Sequence, residues 1–225
     1  GFVRRLAPSE ILDQVLFTQL DSGEPISNIV LMGIGEPLDN FDNVMAFLEI
    51  LSDPRGLNLG LRHVSLSTCG LVDRIYALAE RRLQLTLSVS LHAPNDAIRS
   101  RSMPVNARYN VDTLLRACRD YFAATGRRIS FEYALIAGEN DAPEHAAELA
   151  ARLRGMGAHV NLIPVNPVAE TGYRRGDRAA IERFQNKLRL RGVNATIWRE
   201  LGSYISSACG QLRRQDADAS TSGRV

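Results

Sequence analysis

Short apolar runs alternate strictly with longer amphipathic runs along this chain, and that alternation restricts the fold more than any other feature. The spacing predicts a helix over Ile11 to Leu20, with Ser9 in "APSE" as its cap. "NIVLMG" (Asn28 to Gly33) is a continuous apolar run, as expected of a strand buried on both faces. "FDNVMAFLEILSD" is helical, "RHVSLST" a strand, "GLVDRIYALAERR" a helix, and "LQLTLSVSLH" a strand ending at His92. After a loop, "NVDTLLRACRDYFAAT" opens on the cap-like Asn110. "RISFEYALI", "HVNLIPV" and "NATIWRE" read as strands, separated by the helices "APEHAAELAARLRGM" and "DRAAIERFQNKLRLRG", the latter stopping at Gly192. The order is α(βα)₅β. It implies an α/β fold with a parallel sheet and right-handed crossovers, either open and doubly wound or curled as a barrel.

The bulk numbers narrow the class. At 225 residues and 45% hydrophobic, the chain is long enough for one sizeable core. It has no apolar run of the roughly 20 residues needed to span a bilayer, and "GFVRRLAPSE" is not a signal peptide. Three widely spaced cysteines argue against a disulfide scaffold and for a reducing cytoplasm. Lys187 is the only lysine among 27 basic residues. Arginine suits phosphate contacts, although a GC-rich genome gives the same bias. The chain opens on Gly1 and enters structure at once, as a piece of a longer protein would. "QDADASTSGRV" is small and polar, so 214–225 are expected to be a disordered tail behind one domain, 1–213.

In such folds the carboxyl ends of the strands carry function. Those ends read "GIGEP", "STCG", "SLHAPND", "IAGEND" and "PVNP", a rim rich in Gly, Ser, Asn, His and Glu. "MGIGEP" has Gly-x-Gly but continues into Glu36-Pro37, so it is not a dinucleotide fingerprint. Its glycines admit close approach of a ligand, and Glu36 can accept from an amine or hydroxyl; a plain βα turn explains the same residues. Ser90 and His92 alternate with Leu91, placing them on one strand face as a polar pair for a ligand, or as an ordinary satisfied histidine. His63, His92, His145 and His159 fall on different elements without ligand spacing, so no metal site is expected. Cys118 sits on a helical apolar stripe with Leu114 and Leu115 and reads as core. Cys69 faces the rim or packs. Cys209, in "SSACGQLRR", lies among small residues where something can approach the sulfur.

Taken together, "NIVLMGIGEPLDNFDNV", "HVSLSTCG", "SVSLHAPNDAIRSRSMPVN", "FEYALIAGEND", "NLIPVNP" and "SSACGQL" resemble, in order and spacing, the RlmN family of radical SAM RNA methyltransferases, which includes the Cfr-type enzymes. The resemblance covers residues 1–213. It implies a partial (βα)₆ TIM-like radical SAM barrel that binds S-adenosylmethionine at its rim. By position, Gly35 and Glu36 would contact the methionine amine. Ser67 would hold the ribose, Ser90, Leu91 and His92 would line the pocket, and Asn166 would add a contact. Cys209 would be methylated by one S-adenosylmethionine. A radical made from a second, with an electron from a 4Fe-4S cluster, would take a hydrogen from that methyl group. The carbon radical would add to C2 of an adenine in 23S rRNA, and also in tRNA. A second cysteine would then release the RNA and leave a disulfide.

The family's Cys-x-x-x-Cys-x-x-Cys cluster motif is absent from this sequence, as are the resolving cysteine, the general base and the small N-terminal domain. The resemblance places the cluster ligands upstream of Gly1, on the loop after a first strand. It further implies a cytoplasmic monomer reduced by flavodoxin or ferredoxin. The competing readings are Cfr-type C8 methylation, another radical SAM enzyme with a non-RNA substrate, and a non-catalytic RNA-binding remnant. "ETGYRRGDR" puts Arg174 and Arg175 beside the rim, as RNA contacts or as a solvated loop. The isolated chain is expected to be inactive and to fold poorly, because a barrel edge would keep unpaired backbone groups. A sharp, cooperative thermal melt of the monomeric chain would contradict that expectation.

Overall fold

The computed structural model describes residues 3–32, 35–165 and 172–198. Gly33, Ile34, Asn166, Cys209 and the tail lie outside them. Six strands form one parallel sheet: β1 (Ile29–Leu31), β2 (Val64–Thr68), β3 (Thr86–Ser90), β4 (Ile129–Leu135), β5 (Ala158–Pro164) and β6 (Asn194–Ile197). Their spatial order is their chain order, β1 to β6, with every neighbouring pair parallel. A doubly wound sheet needs a reversal of strand order. None occurs, and right-handed crossovers in a sequential order keep the connecting helices on one face. The structure thus decides between the two architectures in favour of the barrel type.

The helices are α1 (Pro8–Ser22), α2 (Phe41–Ser52), α3 (Val72–Glu80), α4 (Asp96–Ser102), α5 (Val111–Thr125), α6 (Pro143–Leu153) and α7 (Arg178–Arg189). Their apolar stripes meet the alternate strand residues that point outward. Phe47, Leu48 and Leu51 of α2, Ile75 and Leu78 of α3, Leu114 and Tyr121 of α5, Leu149 of α6 and Phe184 of α7 are all buried. They pack with Leu66, Leu87, Val89, Ile129, Phe131, Tyr133, Val160 and Leu162 from the strands in one continuous core. Tyr133 and Phe184 stack tilted, with ring centroids 5.3 Å apart. Cys118 lies fully inside this core, where burial pushes its thiol up to about 12. That is the behaviour of an inert packing cysteine.

Three local expectations are corrected. The cap of α1 is Ala7 and not Ser9, because Pro8 occupies the first helical turn and the Glu10 carboxylate accepts from the Ala7 N–H at 2.8 Å. β1 is not buried on both faces. It has only three residues, and Val30, pointing inward, is 55% exposed. The loop after His92 contains a short helix, α4, capped by Asn95, whose Oδ1 accepts from the Ile98 N–H at 3.1 Å. A one-turn 3₁₀ segment, Pro104–Ala107, follows it. Asn110 caps α5 as its sequence indicates, accepting from the Thr113 N–H at 2.9 Å. None of the described helices is long and apolar enough to cross a membrane.

Candidate cofactor-binding rim

Alternation leaves the inward residues of β2 to β6 almost wholly polar: Ser65 and Ser67, Thr86, Ser88 and Ser90, Ser130 and Glu132, His159 and Asn161, Asn194 and Thr196. The register aligns them into rows. Ser90 pairs with Glu132, Glu132 with Asn161, and Asn161 with Thr196, making one row across four strands. Ser67, Ser88, Ser130, His159 and Asn194 form the row beneath.

These groups bond to one another. Ser130 Oγ and Asn161 Nδ2 each donate to Glu132 Oε1 at 3.0 Å. Thr196 Oγ1 donates to Asn161 Oδ1 at 2.8 Å, and Ser65 and Ser88 share a hydroxyl contact at 3.0 Å. Burial raises the Glu132 carboxyl above its usual range, against the lowering effect of those two donors. A lining of hydroxyls, amides and one carboxyl suits a polar, hydrogen-bonding ligand such as a nucleoside.

Of the sequence-predicted residues, Gly35, Glu36, Ser67, Ser90 and His92 lie at strand ends of this rim, Leu91 is buried in the core and lines no pocket, and Asn166 and Cys209 lie outside the described residues. Gly35 adopts φ +109°, and a Cβ there would meet no atom within 4 Å, so its freedom serves the backbone turn and its surroundings are open. The Glu36 carboxylate accepts from two backbone donors: Leu38 N–H at 3.0 Å and Cys69 N–H at 2.7 Å. It caps the following 3₁₀ turn and joins the end of β1 to the end of β2. Ser67 is buried as the penultimate residue of β2.

β3 ends at Ser90. Leu91 turns into the core, and His92 takes φ +58°, so the alternation that would put Ser90 and His92 on one strand face stops before His92. The imidazole reaches across to β4 instead, where Nδ1 accepts from the Ala134 N–H at 3.0 Å. That acceptor role places the ring proton on Nε2. Burial, with a smaller contribution from the Arg99 charge, lowers the His92 pKa to about 4.

Cys69, left between two roles by its sequence, hangs over the rim as a protonated thiol. Burial and the neighbouring Glu36 carboxylate push it up to about 12, which removes thiolate character at neutral pH. Among the described residues, no group of three or more His, Cys, Asp or Glu side chains could hold a metal ion. The described residues therefore do not fit an iron–sulfur cluster. Two residues that sequence reading passed over are central here. Arg99 and Asn140 are both buried and join strand ends. Asn140 Nδ2 donates to His92 O at 2.8 Å and Ala134 O at 2.6 Å, while its Oδ1 accepts from the Ile136 N–H at 2.8 Å. The available signal was "AGEND" itself, an asparagine in a turn directly after a strand. Burial of an arginine has no such signal.

Residues 3–150 match the family described as the Radical SAM superfamily, and the chain belongs to that superfamily. Within it, the similarity is to RlmN methyltransferases. The chain is 55% identical over 215 residues to the "Probable dual-specificity RNA methyltransferase RlmN" of Desulforamulus reducens, which covers 96% of this chain and 61% of that one. A crystal structure of a radical SAM methyltransferase from Sphaerobacter thermophilus superposes with a TM-score of 0.89 at 45% identity, over 94% of this chain and 63% of the other. SuiB of Streptococcus suis, solved bound to S-adenosylmethionine, shares the fold alone: TM-score 0.65 at 14% identity, over 92% of this chain and 47% of that one. The chain thus spans less than two thirds of the length of the relatives it matches.

The His92 geometry has a measurable consequence. Its folded pKa, about 4, lies below the ordinary 6.5. The unfolded chain therefore takes up a proton that the folded one refuses, and His92 costs stability as pH falls from about 6.5 toward about 4, by at most ~1.4 kcal/mol per pH unit. An NMR titration should place the imidazole midpoint well under 5, and a His92→Gln variant should lose that part of the acid slope in denaturant melts. A midpoint near 6.5 would show the ring to be solvated and the Ala134 contact absent.

Proposed function

We propose that the full-length protein is an S-adenosylmethionine-dependent radical RNA methyltransferase that methylates C2 of an adenine in 23S rRNA and in tRNA, with Cys209 as the temporary methyl carrier. The observation that carries this reading is the polar rim at the carboxyl ends of β2 to β4, set in a superfamily whose name states its cofactor. The dual specificity named for the relatives supports two RNA classes.

The residues present fit a nucleoside-sulfonium. Ser67, Ser90 and the Nε2–H of His92 offer hydrogen bonds to hydroxyls or a carboxylate. Gly35, whose surroundings are open, would let a methionine amine approach the strand end, where it would meet the Glu36 carboxylate, an acceptor already oriented by the Leu38 and Cys69 amides. Asn166 would add a further contact. When bound, S-adenosylmethionine supplies both a methyl group and, on one-electron reduction, a radical; the 4Fe-4S ligands for that reduction would come from outside these residues, with flavodoxin or ferredoxin as the electron source. The protein acts as a monomer in the cytoplasm on this reading.

Cys209 is proposed as the carrier because "SSACGQL" resembles the segment that holds the methyl-carrying cysteine of the RlmN family. Cys118 is sealed in the core and Cys69 is held protonated at the rim, whereas Cys209 has Ser206, Ser207, Ala208 and Gly210 around it in sequence. Small neighbours let a sulfur meet a cofactor, a purine and another thiol in turn.

The test uses the complete protein with reconstituted cluster and reductant, 23S rRNA and tRNA as substrates, and nucleoside mass spectrometry. C2-methyladenosine is expected in both RNAs, and Cys209→Ala should lower its yield by more than about a hundredfold, as loss of a covalent carrier does. Intact-protein mass spectrometry should find a methyl group on Cys209. Undiminished product from Cys209→Ala would refute the carrier role, and product methylated at C8 would reassign the enzyme to the Cfr type. Arg174 and Arg175 are exposed beside the rim. Replacing both with glutamate should weaken RNA binding at low salt by about tenfold or more, through lost phosphate neutralisation; unchanged affinity would make the loop a solvated one.

A further inference from the structure

Arg99 is the largest fully buried side chain among the described residues, and all of its described hydrogen bonds go to uncharged acceptors. Nη2 donates to Cys69 O at 2.7 Å and Ser90 O at 3.2 Å, Nε donates to Leu91 O at 3.2 Å, and Nη1 donates to Asn106 Oδ1 at 3.1 Å. Asn106 is itself held by Ser100 Oγ at 2.8 Å. The β2–β3 ladder ends at the pair Thr68 and Val89. The three carbonyls that Arg99 takes lie immediately past that pair, where the two strands have no further backbone partners in common. Gly70 supports the same arrangement. It sits at φ +104°, and a Cβ there would lie 3.0 Å from the Leu114 methyl groups and 3.4 Å from Arg99 Nη2. The chain therefore closes over the guanidinium with no room for a side chain. An apolar side chain of similar volume would fill such a space without the cost of burying a charge; what it cannot do is hold three carbonyls in fixed directions.

We infer that Arg99 is a positioning residue of the cofactor pocket, setting the distance and carbonyl direction of the two strand ends that carry Ser67 and Ser90 to His92. The inference rests on the proposed reading of the rim as an S-adenosylmethionine site. The residue touches no ligand itself. It acts through the backbone, by continuing the connection between β2 and β3 beyond the point where the sheet ladder stops.

The experiment compares full-length wild type, Arg99→Met, Arg99→Lys and Leu188→Ala, a core variant on α7 remote from Arg99's partners. Calorimetric titration with S-adenosylhomocysteine reads the pocket without turnover or RNA. Thermal melts read stability, and amide exchange at Gly70 and Leu91 reads the strand ends. Arg99→Met should bind S-adenosylhomocysteine at least about tenfold more weakly, the scale of one well-made charged hydrogen bond, with faster exchange at both amides. Arg99→Lys, with its charge kept and fewer donors, should fall between Arg99→Met and wild type. Leu188→Ala should lose melting temperature but keep wild-type affinity. Arg99→Met binding within about twofold of wild type would overturn the inference, as would an equal affinity loss in Leu188→Ala at equal loss of melting temperature. If Arg99→Met does not fold, the Arg99→Lys comparison decides by the same criteria. Failure of the wild type to bind S-adenosylhomocysteine would instead defeat the cofactor reading of the rim, while the exchange rates at Gly70 and Leu91 would still report on Arg99.

Discussion

The ends of parallel strands pose a problem that the sheet cannot solve for itself. A ladder satisfies backbone groups only while strands run side by side, and buried groups past its last pair cost free energy unless another donor or acceptor reaches them. Three polar side chains meet this need in succession. The Glu36 carboxylate links β1 to the Cys69 amide at the end of β2. The Arg99 guanidinium links the ends of β2 and β3. The Asn140 amide links the ends of β3 and β4. Each comes from a segment that follows a strand, so the connections after β1, β3 and β4 fold back to fasten the rim they have just left. The candidate site is the surface these fasteners hold in place.

The two faces of the sheet show why such a rim can serve a ligand. Parallel sheets are normally covered on both sides. Here the helices supply an apolar cover to one face, and alternation gives the other face to serines, threonines, Glu132 and Asn161. Those groups are satisfied largely by each other, in hydrogen-bonded rows across neighbouring strands. A preformed polar lining of this kind costs little reorganisation when a nucleoside replaces water against it. Glu132, with its carboxyl raised by burial, is the one acid in those rows, and it is tied to the rim through its own backbone, since its carbonyl accepts from the amides of both Leu91 and His92.

The cysteines divide by environment rather than by count. Desolvation disfavours the thiolate at Cys118 and, reinforced by Glu36, at Cys69. Sulfur chemistry at either would first have to overcome that cost. The contrast fits the proposed division of labour, in which the rim would hold the cofactor with oxygen and nitrogen groups and the reactive sulfur would come from elsewhere in the chain.

Much of this was legible in the residues alone. Period-two and period-3.6 patterning determined the six strands and six of the seven helices, because each element must bury one apolar stripe and the stripe has a characteristic period. Gly35, Glu36, Ser67 and Ser90 to His92 were recognisable as rim residues because strand ends in such folds collect polar side chains. Tertiary structure alone decided three matters. It chose a sequential, singly covered sheet over a doubly wound one, since α(βα)₅β order is compatible with both. It turned His92 across to Ala134 through a positive φ that no strand pattern contains. And it buried Arg99, a residue of the stretch that the sequence presents only as the loop after His92. Three of the guanidinium's four partners there are backbone carbonyls at strand ends, Cys69, Ser90 and Leu91, and backbone carbonyls carry no side-chain signature by which a sequence could announce them.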